Sequence, residues 1–204
     1  MADVEHFYEP RVGHGLRHDP FKAIVAPRPV GWISTVDAQG RANLAPYSYF
    51  NAVCDRPPLL MFSSQGWKDS VANAEATGEF VWNLATRPLA EAMNQSSAAL
   101  PHGEDEFARA GLAKAACRLV EAPRVAASPA AFECRLVSIT ELHGLDGEPT
   151  DHHLVLGQVV GVHIRTDALR DGAFDTAAAR PIARCGSWGD YAEVDSLFQM
   201  RRPR

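Results

Sequence analysis

The chain has 204 residues, 46% hydrophobic and 22% charged, which suits one globular domain with a real core. The formal net charge of −5 and the four widely spaced cysteines exclude a polyanion-binding face and a disulfide framework. The one basic cluster, Arg201-Arg202-Pro203-Arg204, reads as a frayed end.

Up to residue 20 the chain is polar and irregular, with His6, His14 and His18, and reads as an N-terminal arm ahead of a single domain over 21–204. The start shows no basic region followed by an apolar run, and no stretch approaches a bilayer span. The expectation is a cytoplasmic protein with reduced thiols, bound neither to membrane nor to nucleic acid.

VGWISTV (Val30 to Val36), the turn Asp37-Ala38-Gln39-Gly40 and a β-prone run from Ala42 to Val53 predict a hairpin. Pro46 lies inside the second run and, lacking a ladder donor, marks an edge or a bulge. Asp55-Arg56-Pro57-Pro58 is a turn, followed by the strand LLMFSS (Leu59 to Ser64). Asp69 or Ser70 caps a helix that Gly78 ends. Phe80 to Leu84 is a strand, and Thr86 caps a second helix with Pro88 in its first turn. Ser96 to Gly111 is a mixed loop holding a helical turn near Glu104 to Ala110. Phe132 to Leu142 and Leu154 to Ile164 are strands joined by a turn over Gly144 to Pro149. About six strands with two brief helices argue for a mainly β fold, a small antiparallel barrel.

Several segments, in this order and spacing, are similar to the flavin reductase-like family, in its flavoredoxin branch. They are PRPVGWIST (Pro27 to Thr35), NLAPYSYFN (Asn43 to Asn51), PPLLMFSS (Pro57 to Ser64), Lys68-Asp69-Ser70, GEFVWNL (Gly78 to Leu84), Glu133-Cys134-Arg135-Leu136, GQVVGV (Gly157 to Val162) and Arg180-Pro181-Ile182-Ala183-Arg184 before Tyr191. The resemblance covers nearly the whole chain after the arm. It implies an FMN-binding split β-barrel of Greek-key type, a homodimer, FMN near the subunit interface, NAD(P)H as co-substrate and, in some members, a partner monooxygenase.

The residues suit such a ligand. A phosphate wants donors and positive charge, and Ser63, Ser64, Lys68 and Ser70 offer them, the last beside a helix start. On spacing alone Lys68-Asp69-Ser70 reads as a solvated helix cap; the resemblance turns it into a phosphate site. The flavin ring wants free backbone groups on an apolar wall. Ala45-Pro46-Tyr47-Ser48 supplies these because Pro46 interrupts the ladder, and Ser48 is placed to donate to the ring edge. Trp32, Tyr47, Tyr49 and Phe50 offer flat surfaces, although core or interface filling is the plainer role for two or three of them. Asn43 and Ser34 are candidates for the ribityl chain or the ring edge, and Arg184 and Tyr191 for a neighbouring subunit's flavin, with a plain interface salt bridge the alternative for Arg184.

Hydride transfer from nicotinamide to flavin needs no protein acid or base, so no catalytic side chain is expected. Gly13-His14-Gly15 follows no strand and is dismissed as a dinucleotide fingerprint. His152-His153 point to opposite strand faces, and His14 and His18 sit among glycines, so no metal site is expected. The rival reading is an electron-transfer or flavin-carrier protein with little NAD(P)H activity of its own.

Overall fold

The computed structural model describes residues 5–101 and 103–203. Glu5 to Pro20 carry bends and turns with no helix or strand. Seven strands make the main sheet: β1 (Gly31–Val36), β2 (Ala42–Tyr47), β3 (Phe50–Asp55), β4 (Pro58–Gln65), β5 (Glu79–Asn83), β6 (Ala130–His143) and β7 (Pro149–Ile164). They lie in the order β2-β1-β5-β6-β7-β4-β3, and every neighbouring pair is antiparallel.

The two outermost strands, β2 and β3, are consecutive in the chain, with Ser48 and Tyr49 alone between them. A two-residue link cannot span a flat sheet of seven strands at nearly 5 Å spacing. The sheet therefore curls until its edges meet, and the Ser63 amide donates to the Tyr49 carbonyl beside the seam. The result is a split barrel. The Ala42 to Val53 run, expected as one strand with an irregularity at Pro46, is instead two strands on opposite borders.

Helix α1 (Asp69–Thr77) packs Val71 and Ala74 into the barrel interior, beside Ile33, Phe62, Phe80 and Val155. Gly78 ends it in the left-handed conformation, φ 72°, with its amide on the Ala74 carbonyl, as the sequence predicts. Gly157 has a separate reason to be glycine: a Cβ there would lie 2.3 Å from the Phe80 ring.

A second apolar cluster covers the outside of β1 and β2. It joins Trp32 and Leu44 to Met93 of α2 (Ala90–Gln95), Phe107 of α3 (Glu106–Arg109) and Ile182. β1 is consequently buried along its whole length. Thr86 makes no side-chain cap; it precedes a 3-10 turn over Arg87–Leu89, and α2 begins at Ala90. Asp105 caps α3 by accepting from the amides of Phe107 and Ala108. The last ordered layer is a ribbon in which Ile182–Arg184 pairs with Arg28–Pro29 on one side and Tyr191–Glu193 on the other. No helix among the described residues is long and apolar enough to cross a membrane.

Candidate functional site

The barrel seam opens onto a cleft. A cavity of about 380 Å³ is walled by Asn43, Pro46, Tyr47, Lys68, Ser70 and the Ser96 to Leu100 loop. It shares Pro46, Tyr47 and Ser97 with a second cavity of about 250 Å³ that reaches Ser48, Arg184 and Tyr191. The second shares Asn94, Arg184 and Tyr191 with a third of about 570 Å³. The three form one continuous groove, each segment or pair of segments in the range of small-molecule sites.

At one end a polar network fixes the start of α1. Asn43 Nδ2 donates to Ser70 Oγ at 2.9 Å and to Thr35 Oγ1 at 3.4 Å, and Asn73 Nδ2 reaches the same Thr35 oxygen at 3.1 Å. Ser70 Oγ thus accepts from Asn43 and keeps its own proton to donate. Lys68 is the exposed N-cap residue; Asp69 and Ser70, either of which was expected as the cap, are instead the first two helical residues, and both line the cleft wall. The Tyr47 hydroxyl is buried beside Ser64 and Ser70 but meets no partner in good geometry among the described residues. Burial pushes its pKa up; the two serines oppose this, and the charges of Asp69 and Glu106 add to it.

Glu106, which the sequence reading missed, stands on the same wall. Its Oε2 accepts from the Leu44 amide at 3.1 Å, so α3 covers the edge of β2 through this carboxyl. At the other end Arg184 lies over the Tyr191 ring, 5.0 Å from its centre, and donates to the Asp190 carbonyl at 3.2 Å.

The structure gathers Asn43, Ala45, Pro46, Tyr47, Ser48, Lys68, Ser70 and Arg184 on this groove. Four further candidates lie elsewhere. Trp32 is fully buried and donates from Nε1 to Ser96 Oγ at 3.0 Å, so it steadies the 96–100 loop from behind. Ser34 is fully buried, with Oγ donating to the Pro123 carbonyl and accepting from Asn83. Ser64 Oγ donates to the Gly66 carbonyl, and Ser63 Oγ is buried away from the groove lining with no partner among the described residues. Ser96, Ser97 and Asn94 line the groove, and the sequence gives no local sign of it.

Elsewhere the segment 118–122 is pinned by two buried carboxylates. Glu133 accepts from the amides of Arg118, Leu119 and Val120 and from His163 Nε2; Glu79 accepts from those of Glu121 and Ala122 and pairs with Arg135 at 2.9 Å. Cys117, Glu133 and His163 bring potential metal ligands within 4.8 Å of one another. The Glu133 oxygens are already taken by four donors, and Arg118, Arg124 and Arg165 line the adjoining cavity, a field that opposes a cation. The cluster is a hydrogen-bond hub.

Residues 25–182 match the family model described as flavin reductase like domain. The chain belongs to that family. An uncharacterised protein of Halalkalibacterium halodurans is 34% identical, with 88% of this chain and 87% of that protein covered. An uncharacterised Bacillus subtilis protein, YwrF, is 30% identical over 88% of this chain and 89% of its own. Among solved structures, nitrilotriacetate monooxygenase component B from Bacillus cereus superposes with a TM-score of 0.87 at 29% identity, covering 98% of this chain and 100% of that one. Flavoredoxin of Desulfovibrio vulgaris shares the fold, with a TM-score of 0.77 at 21% identity over 86% and 91% of the two chains. The split barrel and the family expected from the sequence are both found, and with them a flavin-related oxidoreductase.

Proposed function

We propose that the protein binds FMN in the seam groove, works as a homodimer, and reduces flavin with NAD(P)H. The observation that carries this is the continuity of the groove: it follows the edge strand β2, where Pro46 keeps its place in register opposite Trp32, and opens at one end onto Lys68 and the start of α1, and at the other onto Arg184 and Tyr191. Lys68 and Ser70 would hold the phosphate, with Asn43 orienting Ser70 from behind. The Ala45 to Ser48 backbone and the Ser48 hydroxyl would meet the polar edge of the ring. The buried Tyr47 hydroxyl, lacking a good partner, fits a site completed by a ligand. Bound FMN would supply the redox chemistry, accepting a hydride from a nicotinamide and passing electrons on. The chain's part is to position the two rings and exclude water, and it needs no acid or base.

The homodimer reading draws on the outer side of the β6–β7 hairpin. Val160, Val162 and Ile164 follow at two-residue spacing and are exposed, with Val137 exposed on the neighbouring strand. A second copy would cover them.

The relation to a monooxygenase component B favours one further reading, in which reduced flavin serves a partner oxygenase. Steady-state NAD(P)H oxidation with added FMN separates a turning-over reductase from a carrier with little activity of its own. The binding claim is tested by titrating FMN and riboflavin against the wild type and Lys68→Ala. FMN should lose about 10- to 100-fold in affinity and riboflavin under twofold, as expected for one lost charge near a dianion. Equal losses remove Lys68 from the phosphate site, and no thermal shift with FMN ends the proposal.

A further inference from the structure

We propose that Glu106 is a specificity-determining carboxyl at the phosphate end of the groove, which repels a phosphorylated flavin when charged, ignores an uncharged one, and so makes FMN binding take up a proton. This rests on the FMN reading above and refines it.

Three carboxyl and ammonium groups share the 380 Å³ cavity: Lys68 and Asp69 from the start of α1, and Glu106 from α3. A charged Glu106 there opposes the anion that Lys68 and the start of α1 attract. Glu106 cannot easily turn away, because its Oε2 is held on the Leu44 amide and its residue is buried at the start of α3. Among the described residues, the charged groups next to it in the chain and near its helix have partners of their own. Asp105, next in the chain, is held by Lys114 at 2.6 Å. Arg41, which lies against Gly103, is paired with Asp37 at 2.5 Å. Tyr47 on β2 keeps its proton, and the facing Ser96 to Leu100 loop carries no titratable side chain. Burial pushes the Glu106 pKa above the ordinary glutamate value; its own amide and that of Leu44 pull the other way, and Asp69 and Asp105 add to the rise. A phosphate dianion beside it raises it further. By reciprocity, whatever the phosphate does to proton affinity at Glu106, the proton does to phosphate affinity.

The test compares wild type and Glu106→Gln, which keeps an oxygen for the Leu44 amide, with FMN and riboflavin from pH 5 to 8. Taking the ratio of the two proteins cancels the titration of the FMN phosphate itself. Above the Glu106 pKa the variant should bind FMN about tenfold more tightly than wild type. The advantage should shrink toward none as pH falls and Glu106 becomes neutral, and riboflavin should differ under twofold throughout. Calorimetry from pH 5 to 8 in two buffers of different ionisation enthalpy should show wild type taking up more proton with FMN than Glu106→Gln does, and no more than the variant with riboflavin. A ratio that does not change with pH, an equal gain for riboflavin, or proton uptake with FMN no greater than the variant's overturns the role of Glu106 while leaving FMN binding intact. A wild type that binds neither flavin overturns the FMN reading itself.

Discussion

Replacing Glu133 with alanine should be among the most damaging single changes outside the groove. The carboxylate accepts from three successive amides at 2.9, 2.6 and 3.1 Å and from His163 at 2.5 Å, and it is 1% exposed. A hydrogen bond to a charged acceptor contributes about 1.5–3 kcal/mol, but bonds sharing one acceptor do not add fully. Arg118 and Leu119 lie near solvent, so water recovers part of the loss. The expected cost is about 3–5 kcal/mol, read as a shift in urea midpoint at unchanged slope. Glu133→Gln keeps the shape but turns one acceptor into a donor facing amides, and should cost about half as much.

Burial alone would raise the Glu133 pKa, but the amides of Arg118 and Leu119 and the bond to His163 outweigh it and hold it below the ordinary value of 4.5. A depressed carboxyl stabilises the fold at full strength above the unfolded value and loses that contribution as pH falls through the folded one. The gap between wild type and Glu133→Ala should therefore be flat from neutral pH down to about 5 and narrow below about 4.5. Amide exchange at 118–120 should speed up in the variant at neutral pH. A loss under about 1 kcal/mol, or exchange at these amides no faster than in wild type, would refute the reasoning.

Gly157→Ala should destabilise by about 1–3 kcal/mol in thermal or urea unfolding, because its Cβ collides with the fully buried Phe80 ring. Pairing it with Phe80→Leu should recover part of the loss. A thiol reagent at pH 8 should leave Cys117 and Cys134 unreacted until denaturant is added. Burial, with Glu133 beside it, pushes the Cys117 thiol up to about 12, and burial raises Cys134 as well. Prompt labelling of either in the native protein would contradict their placement.

Most of the barrel was readable because its signals are local. Gly40, the Pro57-Pro58 turn and Gly78 punctuate strands of plain β composition, and the elements they bound are where the patterns put them. What escaped depends on distant partners. Ser48-Tyr49 carries no glycine and looks like more strand, so nothing nearby tells that the chain there steps from one border of the sheet to the other. Ser34 and Trp32 have the chemistry of ligand contacts, yet Pro123 and Ser96, 89 and 64 residues away, claim their polar atoms. Glu106 looks like an ordinary helix-start acid until its partner, the Leu44 amide 62 residues earlier, is known. The hydroxyls of Ser63 and Ser64 stand off the groove lining for the same reason: a strand end does not say which side its serines face once the sheet has curled.

The Ser48-Tyr49 step also makes the barrel a fastened loop of fabric with one buckle. Strands β2 and β3 cannot drift apart without that dipeptide moving, and the groove runs directly against it. A molecule lodged there would hold Ser48 against the end of β2, so occupancy should slow exchange at the step between the borders as well as along β2 itself.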